Sequence, residues 1–307
     1  MPNERRVSRR AVLTGAGVTG SAVVVGGVGV WEGVLPGRPW LQEVLGLNGE
    51  DGDVPDVETG PVESGAFESA ARLGETTRWH LLLPPGAAGP EGLPLVVALH
   101  GLGMQVDTFL PGGLGVAEWL AAVVDDGTPP FAVVAPEGGD DYWHPRPDGR
   151  DPGAMVVDEL LPLMAERGLR ATSSDRIGLL GWSMGGYGAL RLGGLLGPDR
   201  VAAVCAASPA LWTDPDAASR DGFEDAEEYE TFSVFGRQAQ LDGVLVRLEC
   251  GTGDPFYRAV EDYADGFPGD LDPAPQVELE PGGHDRGYWR RLMPGQLRLL
   301  GDVVSRS

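Results

Sequence analysis

From about Pro61 to the C-terminus, short apolar runs alternate with longer stretches that are apolar on one side only, and polar turns separate them. Two early segments, Val62–Glu68 and Arg78–Leu83, alternate apolar and polar positions and predict an antiparallel start. Six later runs are of strand length and mainly apolar throughout: Leu95–Leu99, Phe131–Ala135, Ile177–Leu180, Val201–Ala206, Val244–Leu248 and Val277–Leu279. A strand is apolar at every position when both faces of its sheet are covered, so these runs predict a mostly parallel sheet of about eight strands. Helices are expected over Val116–Val124, Ala154–Glu166, Met184–Leu196, Asp254–Asp265 and Tyr288–Val304, enough to cover both faces in one α/β domain over residues 61–307. The acidic segment Asp214–Gln240 has no clear period and predicts a short cap insertion over the sheet.

Ahead of this domain the pattern changes. Ser8-Arg9-Arg10-Ala11-Val12-Leu13 resembles a twin-arginine export signal, and the uncharged run Ala11–Trp31 that follows is rich in Gly and Val. At about 1.5 Å per helical residue the run is just long enough to span a bilayer. Residues 1–31 therefore predict a signal or N-terminal anchor, passage through the twin-arginine translocase, and a protein that is extracellular or held at the outer face of the cytoplasmic membrane. Residues 32–60, with Glu50, Asp51, Asp53, Asp56 and Glu58 close together, predict a solvated acidic linker.

Composition narrows the chemistry. Hydrophobic residues make up 42% and charged residues 22%, which excludes a disordered chain and a polytopic membrane protein. The net charge of -23 would repel a phosphate backbone, so nucleic acid is not a partner. All 23 basic residues are Arg, and a chain without Lys has no amine for a Schiff base or a phosphate-binding loop. His80, His100, His144, His284, Cys205 and Cys250 show no ligand spacing, so neither a metal nor a cofactor is expected. Both cysteines lie in apolar runs and read as buried free thiols.

Ser183 is the one serine with glycine two positions before and two after, in Gly181-Trp182-Ser183-Met184-Gly185. With 48 glycines and twelve serines, about 0.3 such matches arise by chance, so the pattern carries weight only in context. Here an apolar strand runs into the serine and a helical stretch runs out of it, the setting in which a sharp turn lifts a hydroxyl to the carboxyl edge of a parallel sheet. A serine needs a base, and His284 is the only histidine downstream, in a loop after the last apolar run. The base needs an acid, and Asp254 follows the preceding strand, although its position before Pro255 also suits a helix cap. Asp214 and Asp216 are reserve candidates, whereas Asp285 is too close in sequence to orient the His284 ring. The backbone N–H groups of Met184 and of Leu102, in the loop His100-Gly101-Leu102-Gly103, are the expected oxyanion donors. His100 is expected to hold that loop; Trp143, His144 and Trp182 are candidate pocket residues; Tyr288 and Trp289 are expected to pack the last helix on the sheet.

The motifs HGLG, GWSMGGYG, CGTGD and GGHD, in this order, resemble those of the esterase family of α/β-hydrolases that includes esterase D, feruloyl and acetyl carbohydrate esterases and the antigen 85 mycolyltransferases. The resemblance implies an eight-stranded α/β-hydrolase core, no cofactor, and a triad of Ser183, Asp254 and His284. No segment matches an extended acyl-chain tunnel. The sequence thus points to an exported serine hydrolase that cleaves small-molecule or glycan esters. Acyl transfer to a sugar or glycerol hydroxyl is the alternative, and a non-catalytic binding module on a hydrolase scaffold is an alternative of another class.

Overall fold

Residues 37–307 are described by a computed structural model, and the predicted signal or anchor at residues 1–31 lies outside them. The strands are β1 (Val62–Ser69), β2 (Glu75–Leu82), β3 (Leu95–Leu99), β4 (Ala132–Pro136), β5 (Ile177–Trp182), β6 (Val201–Ala207), β7 (Leu245–Gly251) and β8 (Gln276–Glu280). They form one sheet in the order β1-β2-β4-β3-β5-β6-β7-β8. Only β2 runs against its neighbours; β3 to β8 are parallel. Successive residues of each central strand enter opposite layers: Leu95, Val97 and Leu99 face one core, Val96 and Ala98 the other. This is why those runs are apolar without alternation, and each such side chain contributes about 1.5–3 kcal/mol by leaving water. The predicted antiparallel opening and parallel remainder are both present.

Helices α2 (Val116–Asp125) and α7 (Arg286–Val304) cover one face of the sheet. The other carries α3 (residues 152–166), α4 (Met184–Leu196) and α6 (Tyr257–Asp265). α3 runs in three pieces, Pro152–Ala154, a π-helical stretch Met155–Leu160, and Leu161–Glu166. Pro162 has no N–H to donate and its ring would strike the carbonyl four residues back, and the wider turns relieve that clash. Cys205 and Cys250 point into opposite cores and are unpaired.

The segment before β1 departs from expectation. Instead of a solvated linker, it begins with helix α1 (Arg38–Val44) and then lies along the loops that follow β7 and β8. The acidic side chains still face water, but the backbone between them is hydrogen-bonded to the domain, with the Gly52 N–H donating to the Gly287 carbonyl at 2.8 Å.

The cap, which contains α5 (Ala226–Phe232), packs on the face that carries α4. Its fastening is a buried polar knot around His144, whose ring is stacked between Phe223 and Phe232 at centroid distances of 5.0 and 4.9 Å. The Tyr187 hydroxyl donates to the Phe232 carbonyl at 2.8 Å. The Nδ1 neighbours, that hydroxyl oxygen and the Tyr142 carbonyl, both at 3.1 Å, therefore act as acceptors. Nδ1 carries the proton, and Nε2 lies 3.3 Å from the Arg146 guanidinium and 3.2 Å from Glu228. Burial, helped by Arg146 and Arg191, pushes the His144 pKa down to about 3. His144 is thus a fully buried structural residue under the cap and does not line a pocket.

This burial links the cap to pH. A histidine in the unfolded chain takes a proton below about 6.5, whereas folded His144 resists one down to about 3, so in that window its contribution to stability falls as pH falls. Between pH 6.5 and 5 the native protein is expected to lose about 2 kcal/mol more stability than a His144→Gln variant. Glu228, raised by burial, acts in the opposite sense but is present in both proteins. Urea unfolding at a series of pH values measures the difference, and parallel curves would contradict it.

Candidate active site

The chain leaves β5 and enters α4 through Ser183, whose backbone sits at φ 55°, ψ −123°, a conformation that costs a non-glycine residue about 1–3 kcal/mol. Its N–H donates to the Ala207 carbonyl at 3.0 Å, and its carbonyl accepts from Tyr187 at 3.1 Å and Ala210 at 3.0 Å. Sheet, helix and the loop after β6 thus hold the strained residue together. Glycine is required on both sides. A β-carbon on Gly185 would stand 1.9 Å from the Leu99 carbonyl oxygen, and one on Gly181 would stand 2.1 Å from that of Gly185.

Three side chains meet there from three loops. The Ser183 Oγ is 2.9 Å from His284 Nε2, and His284 Nδ1 is 2.8 Å from Asp254 Oδ2. Because the Asp254 carboxylate accepts at Nδ1, the Nε2 atom is left bare to accept from the serine hydroxyl. The Asp254 side chain is fully buried and that of His284 is 22% exposed. Capping and orienting the imidazole do not compete, because the two carboxylate oxygens divide the work. Oδ1 accepts the Phe256 N–H at 2.8 Å, Oδ2 faces His284, and α6 starts only at Tyr257. Asp285 caps α7 by accepting the Tyr288 N–H, and Asp214 accepts the Asp216 N–H at an exposed turn.

Leu102 lies in the loop after β3, packed so closely on Ser183 that a β-carbon on Gly101 would be 3.3 Å from Ser183 Cβ. Among the described residues, neither the Leu102 N–H nor the Met184 N–H has a protein acceptor. The loop is held from both sides. The Gly103 N–H donates to Asp140 Oδ1 at 2.7 Å, and His100 is within 2.9 Å of the Gly101 carbonyl through Nδ1 while its Nε2 accepts the Gly138 N–H at 3.0 Å. Burial lowers the His100 pKa, in keeping with a neutral ring that joins two loops. A hydroxyl on an imidazole that is itself steered by a carboxylate, with free amides alongside, can attack a carbonyl and hold the oxyanion that forms.

The remaining pocket expectations are corrected. Trp143 is fully buried against Gly188, with its indole N–H directed to the His100 carbonyl at 3.3 Å. Trp182 points into the opposite core, where it packs on Phe109 and Trp289 and places its indole N–H 3.3 Å from the Met104 sulfur. With His144, all three lie beneath the site rather than around it. The half-exposed neighbours are instead Phe256, edge-on to His284 at 5.2 Å, and Trp212, edge-on to Phe256 at 5.3 Å. Both follow strand ends at the same sheet edge, which is the signal that could have found them. Tyr288 and Trp289 are buried in α7 as expected, and the Trp289 ring also stands roughly perpendicular to that of His284 at a centroid distance of 5.1 Å.

Comparisons with known proteins bear on the family and the fold. The sequence profile of the family described as "Putative esterase" matches residues 70–300. No curated protein sequence matches the chain. Among solved structures, a ferulic acid esterase is similar at 21% identity and a TM-score of 0.66, over 79% of this chain and 98% of that one. A fluorophosphonate-binding serine hydrolase from Staphylococcus aureus is similar at 18% identity and a TM-score of 0.62, over 80% and 99%. An S-formylglutathione hydrolase from Agrobacterium tumefaciens is similar at 17% identity and a TM-score of 0.57, over 81% and 99%. With three quarters of its length matched by that profile and an eight-stranded hydrolase sheet, the chain belongs to the putative esterase family and is a carboxylic ester hydrolase of the α/β-hydrolase fold.

Proposed function

We propose that this hydrolase is an exported serine esterase that works through an acyl-enzyme. The observation that carries the reading is the unbroken relay from buried Asp254 through His284 to the strained Ser183. Ser183 Oγ attacks the ester carbonyl as His284 Nε2 takes its proton, and Asp254 holds the ring in the required tautomer and balances the imidazolium. The oxyanion is received by the Met184 and Leu102 N–H groups, each such donor contributing about 3 kcal/mol in the transition state. His284 then gives the proton to the leaving alcohol, and water, activated by the same nitrogen, releases the acid. Water is the acceptor in this reading, and transfer to a sugar or glycerol hydroxyl is the alternative. Export by the twin-arginine translocase rests on Ser8-Arg9-Arg10 and the uncharged run after it.

A fluorophosphonate probe is expected to label Ser183, and Ser183→Ala to abolish both labelling and ester turnover; full turnover in that variant would refute the nucleophile. Phe256 and Trp212 form one wall of the site in this reading. Phe256→Ala and Trp212→Ala should therefore change the relative kcat/KM for p-nitrophenyl esters of graded length, and for acetylated against feruloylated sugars, by roughly tenfold, since pocket contacts discriminate by about 1–3 kcal/mol. An unchanged ranking would move the pocket elsewhere. Replacing Arg9 and Arg10 with Lys in the full chain should leave the protein in the cytoplasm of an expressing cell, and fractionation that still finds it outside would exclude the twin-arginine route.

A further inference from the structure

His284 and Asp254 are supplied by the loops after β8 and β7, at the edge of the sheet. β8 is half open to water, with Val277 39% exposed, so the core alone gives the base a weak foundation. The two loops are tied to each other: the Thr252 N–H donates to the Glu280 carbonyl at 2.7 Å and the Gly253 N–H to the Gly282 carbonyl at 2.8 Å. They are also gripped from outside by the segment that precedes the domain. Gln42 of α1 makes a double contact with Thr252, its Nε2 donating to the Thr252 carbonyl and its Oε1 accepting the Thr252 hydroxyl, both at 3.1 Å. Asn48 enters between the two loops. A β-carbon on Gly253 would stand 2.4 Å from Asn48 Oδ1, and one on Gly283 would stand 3.2 Å from Asn48 Nδ2. Those glycines immediately precede Asp254 and His284. Arg291 closes the arrangement by donating to the Glu50 carbonyl at 2.7 Å and the Asn48 carbonyl at 3.3 Å.

The packing of α1 is inverted for a helix held by the hydrophobic effect. Gln42 is 1% exposed, whereas Trp40 and Val44 on the same helix are 64% and 61% exposed. Burying an amide while leaving an indole in water does little for stability, so apolar burial does not explain why the segment docks here. What Gln42 and Asn48 touch is the pair of loops that deliver the acid and the base.

We propose that residues 42–52 form a positioning strap in which Gln42 and Asn48 set the distance between Asp254 and His284, so that catalysis depends on a segment lying outside the residues 70–300 that define the family. The strap touches neither Ser183 nor the oxyanion loop in the contacts above. Its loss therefore misplaces the base while the nucleophile turn stays formed. The inference rests on the serine-esterase reading, because it assigns the strap to the relay of that reaction.

The test uses the full chain with Gln42→Ala, Asn48→Ala, Thr252→Val and the double variant Gln42→Ala/Thr252→Val. Each single variant is expected to lower kcat for p-nitrophenyl acetate, and the rate of fluorophosphonate labelling at Ser183, by roughly tenfold with KM within about twofold, as misplacement of a catalytic base does. The double variant should be no slower than Gln42→Ala alone, because Gln42→Ala already removes the hydroxyl contact that Thr252→Val breaks. Near-ultraviolet circular dichroism of each variant identifies the folded fraction to which rates are normalised. Normalised rates equal to those of the native protein, or a loss carried by KM alone, would overturn the strap. Absence of Ser183 labelling in the native protein would instead overturn the serine-esterase reading, and the strap's role with it.

Discussion

The backbone of Ser183 is the constraint on which the rest of the site depends. A residue at φ 55°, ψ −123° exists only if the elements around it give it no other option, and here β6, α4 and the loop after β6 each contribute a hydrogen bond to it. The closeness that makes this possible also dictates composition: α4 approaches the end of β3 so tightly that only glycine fits at 185. Sequence pattern and strained geometry are thus one fact seen twice. The glycines are there because the chain must pass where no side chain can, and the chain passes there because the hydroxyl must stand clear of the sheet.

Strand order then determines what can meet the hydroxyl. From β3 the chain turns one way to β4, then returns to place β5 on the other side of β3. Loops leaving β3 and β5 therefore diverge and open a crevice at the carboxyl edge, where ligands bind in open α/β sheets. Leu102 and Met184, the two free amides, stand on its two sides. Successive parallel additions of β6, β7 and β8 bring Asp254 and His284 to the same edge in chain order.

What could be read from the sequence followed from this logic. Continuous apolar runs announce strands buried on two faces, and residues that must sit at strand ends for chemical reasons, Ser183, Asp254, His284 and the HGLG loop, were legible because strand ends are where those runs stop. Trp143, His144 and Trp182 were misread because position at an edge does not determine side-chain direction. Trp143 itself adopts a positive φ of 54°, and the chain there turns its indole inward beneath the site. The residue before Ser183 points into the opposite core by strand alternation, a consequence of period two that excludes Trp182 from any pocket above the sheet. Residues 37–60 were misread for a different reason. Their charge density describes the side chains that face water, whereas their place in the fold is set by Gln42, Asn48 and backbone groups, which leave no periodic trace.

Ser183 and His284 are therefore held by different means. Ser183 is locked at the centre of the sheet, between two hydrophobic layers, and any change there is felt by the whole core. His284 hangs from an edge strand, and what fixes it is a set of separate, mostly local devices: the Asp285 cap of α7, the edges of Phe256 and Trp289 against its ring, the Asp254 carboxylate, and the cross-links between the loops after β7 and β8. Interactions of this kind add little to global stability, because each orders a loop that is already outside the core. They act instead on the distribution of ring positions, and contacts of 2.8 and 2.9 Å tolerate little spread. In this architecture Ser183 is fixed by the core of the sheet, whereas Asp254 and His284 are fixed at its periphery, where residues that precede the domain also make contact.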